Sequence, residues 1–517
     1  MADKKAAAKR KSAKKSEKKK FYLTTPIFYV NDVPHIGHSY TMIAADILAR
    51  WHRMKEEDVF FLTGTDEHGE KIQTAADKRG VTPQQLVDEI VPKFKEVWKL
   101  LNISNNFFIR TTDSFHEQTV KKIIELIHKN GDIYKGEYEG WYCVPDETFW
   151  TELQLVDGKC PECGREVKKL KEETYFFKLS KYQNSLLEFY ENNSDFISPD
   201  YRKNEILNRV KEGLNDLSIT RKAFKWGIEF PFDKNHVIYV WVEALINYIS
   251  ALEYPGKKFK KYWPPDLHLM AKEIIWFHTV IWPAMLMSAG LELPKKIFAH
   301  GWWTVEGKKI SKSLGNAVNP LDVVKMYGAD SFRYFLMREV SFGMDGDYSE
   351  QVLMNRVNSD LADNLGNLVN RSLVLAEKYS GGAVPKTDKK SFLAEKSEET
   401  IKKASEYLEE LKFHRALESI FSLSSDANRY INESEPWKMK DRKELDAVIY
   451  NALETIRIIS ILLYPFMPQT AERIAEQIGF EKDFSEKRLK WGLLKAGTKV
   501  NRGDVLFRKV MKVNLGE

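Results

Sequence analysis

Apolar and polar positions along this chain follow two different periods, and the changes between them mark its parts. Residues 21–30, FYLTTPIFYV, form an apolar, β-rich run that predicts a strand. Turn residues follow in NDVPHIGHSY, and TMIAADILARWHRMK then spaces its apolar residues as a helix does. A second strand is predicted at VFFLTGTDEHG, ending in a polar loop. Strand, helix and strand of these lengths predict a parallel α/β unit. Residues 116–220 break the pattern with CVPDETFW, DGKCPECGRE and YFFKLSKYQNSLLEFY, which predicts an inserted module with a small fold of its own. The α/β pattern resumes in HVIYVWVEALINYISAL, DLHLMAKEIIWFH and KKIFAHGWWTVEGKKISKS. In the last of these, Glu306-Gly307 between two strand-like runs predicts a hairpin turn. After residue 345 the pattern is almost wholly helical. Leu445, Ile449, Ala452, Ile456, Ile459 and Leu463 recur at helical spacing, a stripe for a bundle core that Pro465 and Pro468 should end.

The expected organisation is an α/β domain in two halves, 21–115 and 221–345, split by the insertion 116–220. A helical domain over 346–510 and a tail at 511–517 follow. The 517 residues agree with about three domains. The net charge of +6 changes the picture only at one end. Residues 1–20 hold ten Lys/Arg and two acids, leaving 70 basic against 72 acidic residues elsewhere. This arm is expected to be solvated and disordered, either a solubility tail or a source of sequence-blind attraction to RNA. Three cysteines exclude a disulfide framework and point to a reducing, cytoplasmic compartment. The N-terminus has no apolar signal region. The most apolar stretch, Ile274 to Leu291, contains His278, Pro283 and Gly290 and is expected to be a buried helix, not a membrane span. The chain stops about where the helical domain should finish, which sets the expectation of a monomer.

Two short motifs carry chemistry. Pro34-His35-Ile36-Gly37-His38 falls in the turn from a strand to a helix, where an open parallel sheet places a ligand. A helix N-terminus offers free N–H groups to phosphate, the two imidazoles can donate to phosphate oxygens, and Gly37 lets an adenine approach the backbone. Lys309-Ile310-Ser311-Lys312-Ser313 forms a cationic loop able to neutralise charge on a leaving pyrophosphate. Either motif alone is more often an ordinary turn or a solvated loop. In this order, on either side of an insertion, they resemble the HIGH and KMSKS motifs of class I aminoacyl-tRNA synthetases, with Ile310 where the family has Met. TTPIFYVNDVPHIGH, FLTGTDEHGEK, YVWVEALINYISAL, FHTVIWPAML and HGWWTVEGKKISKS extend the resemblance, over about residues 21–510, to the methionyl-tRNA synthetase family.

That resemblance implies a Rossmann-like doubly wound parallel sheet followed by an all-α anticodon-binding bundle. It implies ATP with Mg2+ as cosubstrate and L-methionine and methionine tRNA, initiator included, as partners. His35, His38, Lys309 and Lys312 would be catalytic. Gly37, Glu243, Ala271, Glu273, Ser311 and Lys312 would meet ATP. The methionine pocket would be Ile27, Tyr29, Asp66, Trp241, Ala244, Leu245, Tyr248, Ile274 and His278. The anticodon would be met by Asn367, Arg371 and Trp437. The sequence departs from the family at Ala271, Glu273 and Glu243, where Gly and two Asp are usual. Cys160-Pro-Glu-Cys163 has metal-ligand spacing, and Cys143 with Asp146 stands where the family often has a second CxxC. A three-Cys, one-Asp zinc site and a metal-free knuckle both remain open. A ligase for another amino acid, or an inert RNA-binding paralogue, are the alternative readings.

Overall fold

The computed structural model describes residues 18–511 except 31–32, 145–147, 151, 162, 223 and 310–317. Six parallel strands form the central sheet: β1 (Lys20–Tyr29), β2 (Asp58–Asp66), β3 (Phe107–Arg110), β4 (Ile197–Ser198), β5 (Leu267–Ala271) and β6 (Ile297–His300). Their order is β3-β2-β1-β5-β6-β4. The winding direction reverses between β1 and β5, so a crevice opens at the carboxyl ends of those two strands. Alternation along β1 supplies both faces of the sheet. Phe21 and Leu23 join one core cluster and Tyr22 joins the other.

Helix α1 (Ile36–Met54) follows β1 and is buried along nearly its whole length. The interruption within β1 has a visible cause. Pro26 cannot donate a ladder hydrogen bond, and the register against β2 shifts between Thr24 and Ile27. The shift places Tyr29 opposite Asp66.

The segment 116–220 is not wholly a separate module. Strands Ile133–Cys143, Thr148–Trp150, Lys168–Phe177 and Leu217–Ser218 form an antiparallel sheet, but β4 within the same segment belongs to the central sheet. A two-residue strand is too short for periodicity to reveal. The arm also ends earlier than expected. Lys20 begins β1, and its ammonium donates to the carbonyls of Tyr262, Trp263 and Pro264. Residues 1–17 lie outside the described residues.

In the α/β part the short helix α2 (Val240–Leu245) precedes β5; the helical region then holds α3 (Asn367–Ser380), α4 (Phe392–Glu409), α5 (Phe413–Ser434), α6 (Arg442–Leu463) and α7 (Pro468–Ile478). The six stripe residues of α6 are all buried, and Pro468 opens α7 after α6 has ended. One apolar core runs from the α1 face of the sheet into this bundle. Arg333, fully buried, fastens the junction. It pairs with Asp46 of α1 at 2.8 Å and donates to the carbonyls of Leu101, Pro465 and Phe466. The apolar stretch 274–291 bends through a π-turn at Phe277–Ile281 into Trp282–Ser288, and among the described residues no helix is long and apolar enough to cross a membrane.

Candidate active site

The crevice at the β1/β5 reversal is a cavity of about 1750 Å³. One corner of it is built by the start of α1. His35 is the N-cap, and its Nδ1 accepts the Gly37 N–H at 3.1 Å. His38 Nδ1 accepts the His35 N–H at 3.2 Å, and the two rings stack with centroids 3.8 Å apart. The imidazoles therefore do the work that Ser and Glu do in a capping box. A neutral ring whose Nδ1 accepts carries its hydrogen on Nε2, so both rings are left with an Nε2–H donor. Burial pushes His35 down to about 4, and burial with the neighbouring His35 pushes His38 lower. They offer hydrogen bonds, not charge, at neutral pH. A Cβ on Gly37 would lie 2.9 Å from His35 Cε1. The glycine thus makes room for the His35 ring first, a closer constraint than the adenine approach expected from sequence.

The opposite wall is apolar with three polar points. Asp66, at the end of β2, is buried and lines the cavity beside Ile27 and Tyr29. Trp241 stacks on Phe277 with centroids 4.0 Å apart and planes 11° apart. Ala244, Leu245 and Ile274 fill the wall between them. Tyr248 and His278 form one unit. His278 Nδ1–H donates to Ile274 O at 3.0 Å, so Nε2 accepts the Tyr248 hydroxyl at 2.7 Å. Burial pushes His278 down to about 4 and the Tyr248 phenol well up. The pair is a polar but uncharged spot in an apolar wall, suited to a polarizable thioether.

At the third corner Ala271 and Glu273 also line the cavity. Glu273 Oε2 accepts the Trp302 indole N–H at 2.5 Å, and Lys272 lies 4.3 Å from the centre of the Trp302 ring. Glu243 does not belong here. It is fully buried off the cavity wall, its Oε1 2.7 Å from His68 Nδ1. The helix explains the difference: at about 100° per residue, position 243 lies about 200° from position 241, on the far face of α2. Glu243 thus lies off the cavity lining and not at the ATP-facing position expected of it from the sequence.

The sequence reading missed His300 and Trp302. His300, the last residue of β6, donates from Nδ1–H to Gly301 O at 2.8 Å, so its Nε2 accepts the Thr41 hydroxyl at 2.7 Å. It lines the cavity as a neutral ring, pushed down by burial to about 4. The available signal was a polar residue ending an apolar strand. The expected hairpin is present, with Glu306 at φ 50° and Gly307 at φ 75°, the two positive angles a type I′ turn needs. Lys309 lies in its returning strand, while Ser311 and Lys312 lie outside the described residues.

In the insertion, the Sγ atoms of Cys143, Cys160 and Cys163 lie within 4.8 Å of one another, and Cys143 and Cys163 are 3.5 Å apart. Zn–S bonds of about 2.3 Å in a tetrahedron put sulfurs about 3.8 Å apart, so the thiols fit a zinc ion. Gly164 N–H donates to Cys160 O, closing the knuckle turn. Asp146 lies outside the described residues.

At the far end of the molecule, Asn367 and Arg371 share a face of α3. Asn367 Nδ2 reaches Asn428 at 3.5 Å and Arg371 donates to Asn432 Oδ1 at 2.6 Å, both on α5. The end of α5 leads through Glu435, at φ 44°, into the turn Pro436–Lys438. That turn carries Trp437, 48% exposed.

The family model described as tRNA synthetases class I (M) matches residues 21–171 and 165–373, and the anticodon binding domain of methionyl tRNA ligase matches residues 380–516. The chain belongs to the methionyl-tRNA synthetase family. The methionine–tRNA ligase of Caldanaerobacter subterraneus subsp. tengcongensis is 53% identical over 95% of this chain and 79% of its own length. That of Thermotoga maritima is 50% identical over 95% and 80%. The Mycobacterium tuberculosis methionyl-tRNA synthetase in complex with methionyl-adenylate superposes with a TM-score of 0.91 at 42% identity, covering 95% of this chain and 99% of that one. This synthetase is an ATP-dependent aminoacyl-tRNA ligase.

Proposed function

We propose that this chain activates L-methionine with Mg-ATP and transfers it to the 3′-terminal adenosine of methionine tRNAs, elongator and initiator alike. One observation supports the reading above all. The wall of Asp66, Trp241, Tyr248 and His278 shares a single cavity with the stacked donors His35 and His38. The methionine carboxylate attacks the α-phosphorus and pyrophosphate leaves. The carboxylate is already a nucleophile, so no protein base is required. Catalysis is positioning and charge stabilisation. His35 and His38 donate to phosphate, and Lys309, Ser311 and Lys312 meet the leaving pyrophosphate. Ala271 and Glu273 stand at the ribose, with Trp302 orienting the carboxylate. The terminal 2′-hydroxyl of the tRNA then takes the methionyl group and AMP departs. The reading includes a cytoplasmic location, supported by three cysteines that form no disulfide.

The two half-reactions separate experimentally. Methionine should stimulate ATP–pyrophosphate exchange. In Trp437→Ala that exchange should persist while tRNA binding weakens by about 1–3 kcal/mol, the usual loss for a ring that stacks an unpaired base. Loss of exchange in the variant would make Trp437 a structural residue.

Cys143, Cys160 and Cys163 would hold one structural zinc, with Asp146 as the fourth ligand. The ion would tie the knuckle to the strand Ile133–Cys143. Elemental analysis of protein purified without chelator should give about one zinc per chain. Chelation should lower the thermal stability of the insertion; protein without zinc and with unchanged melting would leave a metal-free knuckle.

A further inference from the structure

A buried His68–Glu243 contact of 2.7 Å joins two elements that wall the cavity. We propose that His68 and Glu243 are positioning residues that set the affinity for methionine. The inference rests on reading this wall as the methionine site.

Asp66 and His68 share the loop that follows β2. That loop is fastened to its surroundings on either side of His68. Tyr29 donates its hydroxyl to His68 O at 3.0 Å, the Trp226 indole donates to Glu67 O at 2.6 Å, and Gly69 N–H donates to Trp226 O at 3.1 Å. The His68 side chain then leaves the loop and meets Glu243 of α2 at 2.7 Å. The same short helix carries Trp241, Ala244 and Leu245 on its cavity face. One bond thus ties the carboxylate expected to hold the α-ammonium to the wall expected to hold the thioether.

The pair depends on its charge. Glu243 is wholly buried, and among the described residues its Oε2 has no hydrogen-bond partner. A buried carboxylate is costly unless paired, and His68 Nδ1 is the partner that offsets the burial of Glu243. Burial disfavours a charged His68, but Glu243, with Glu117 and Glu67 behind it, outweighs burial and raises His68 above the ordinary imidazole range. His116, the facing imidazole, does not compete as a charge, because burial pushes it down to about 3. The sign follows. The pair is intact below the ordinary imidazole value and is lost as pH rises through the raised value of the folded state. Methionine affinity should therefore fall on the alkaline side. ATP affinity should not, because the phosphate donors stand on α1.

Steady-state exchange kinetics test this. Glu243→Gln should raise the methionine KM about tenfold and leave the ATP KM within about twofold. Glu243→Asp, which keeps the charge, should recover most of the loss. The alkaline rise in methionine KM should be present in the native enzyme and flatter in Glu243→Gln, a comparison in which the ionisation of methionine itself cancels. An unchanged methionine KM in Glu243→Gln, or an equal rise for ATP, would overturn the proposal. Should that variant fail to fold, histidine-labelled native enzyme decides by NMR: a charged His68 ring near pH 7.5 supports the pair, and a neutral ring overturns it. Asp66→Asn separates the two levels. If it leaves the methionine KM unchanged, the site reading fails. If it raises the KM and Glu243→Gln does not, the role of the pair alone fails.

Discussion

Asp66→Asn should lower kcat/KM for methionine by about 2–5 kcal/mol, the range for removing one partner of a buried, hydrogen-bonded charge pair. The ATP KM should hardly change. Asparagine has nearly the same shape, so the wall stays filled and the loop after β2 keeps its fastenings to Tyr29 and Trp226. What it lacks is the negative charge proposed to meet the substrate ammonium in the cavity. The loss should appear as methionine-dependent exchange recovering only at far higher methionine concentration. An Asn variant with native kinetics would place the ammonium elsewhere.

His38→Asn should slow adenylate formation about 10²–10³-fold, the usual effect of removing one donor from developing charge. Here the two ring nitrogens can be separated. Asparagine Oδ1 falls near the position of Nδ1 and can still accept the His35 N–H that closes the cap. It places nothing where Nε2 was. Glutamine does the reverse, carrying a donor to about the Nε2 position while giving up the capping acceptor. The Asn variant should therefore be stable and slow, and the Gln variant less stable and faster. Rates in the opposite order would mean that the ring matters as a cap and not as a donor. The same two rings fix an acid limit. They bind protons near the ordinary imidazole value when unfolded, but His35 does so only near about 4 when folded, and His38 is also held well below the ordinary value. Stability contributed by these caps is thus present above about pH 6.5 and declines as pH falls toward 4.

Much of this site was legible in the sequence because the chemistry is concentrated in the turns that end strands. His35 and His38, Asp66, and the Ala271–Ile274 run all follow an apolar β pattern directly, which fixes them at the carboxyl edge of the sheet. Trp241, Ala244, Leu245 and Tyr248 came from the family resemblance, and all four line the cavity, the first three from α2 and Tyr248 from the turn of helix that follows it. Glu243 lies off the cavity wall because a position two residues from Trp241 points to the far side of the helix, a direction the family resemblance did not carry. His68 and Trp302 were invisible for another reason. Their partners, Glu243 and Glu273, lie 175 and 29 residues further or earlier in the chain, and no local pattern encodes such a pair. The short strand β4 shows the same limit: two residues seated beside β6 carry no period.

The most direct measurement is a structure of the synthetase with a non-hydrolysable methionyl-adenylate analogue. The thioether should lie against Trp241 and the Tyr248–His278 pair, with the ammonium within hydrogen-bond distance of Asp66. The phosphate mimic should face the Nε2 atoms of His35 and His38, and the ribose should face Glu273. An analogue bound with its ammonium away from Asp66, or with adenine against Trp241, would contradict the account.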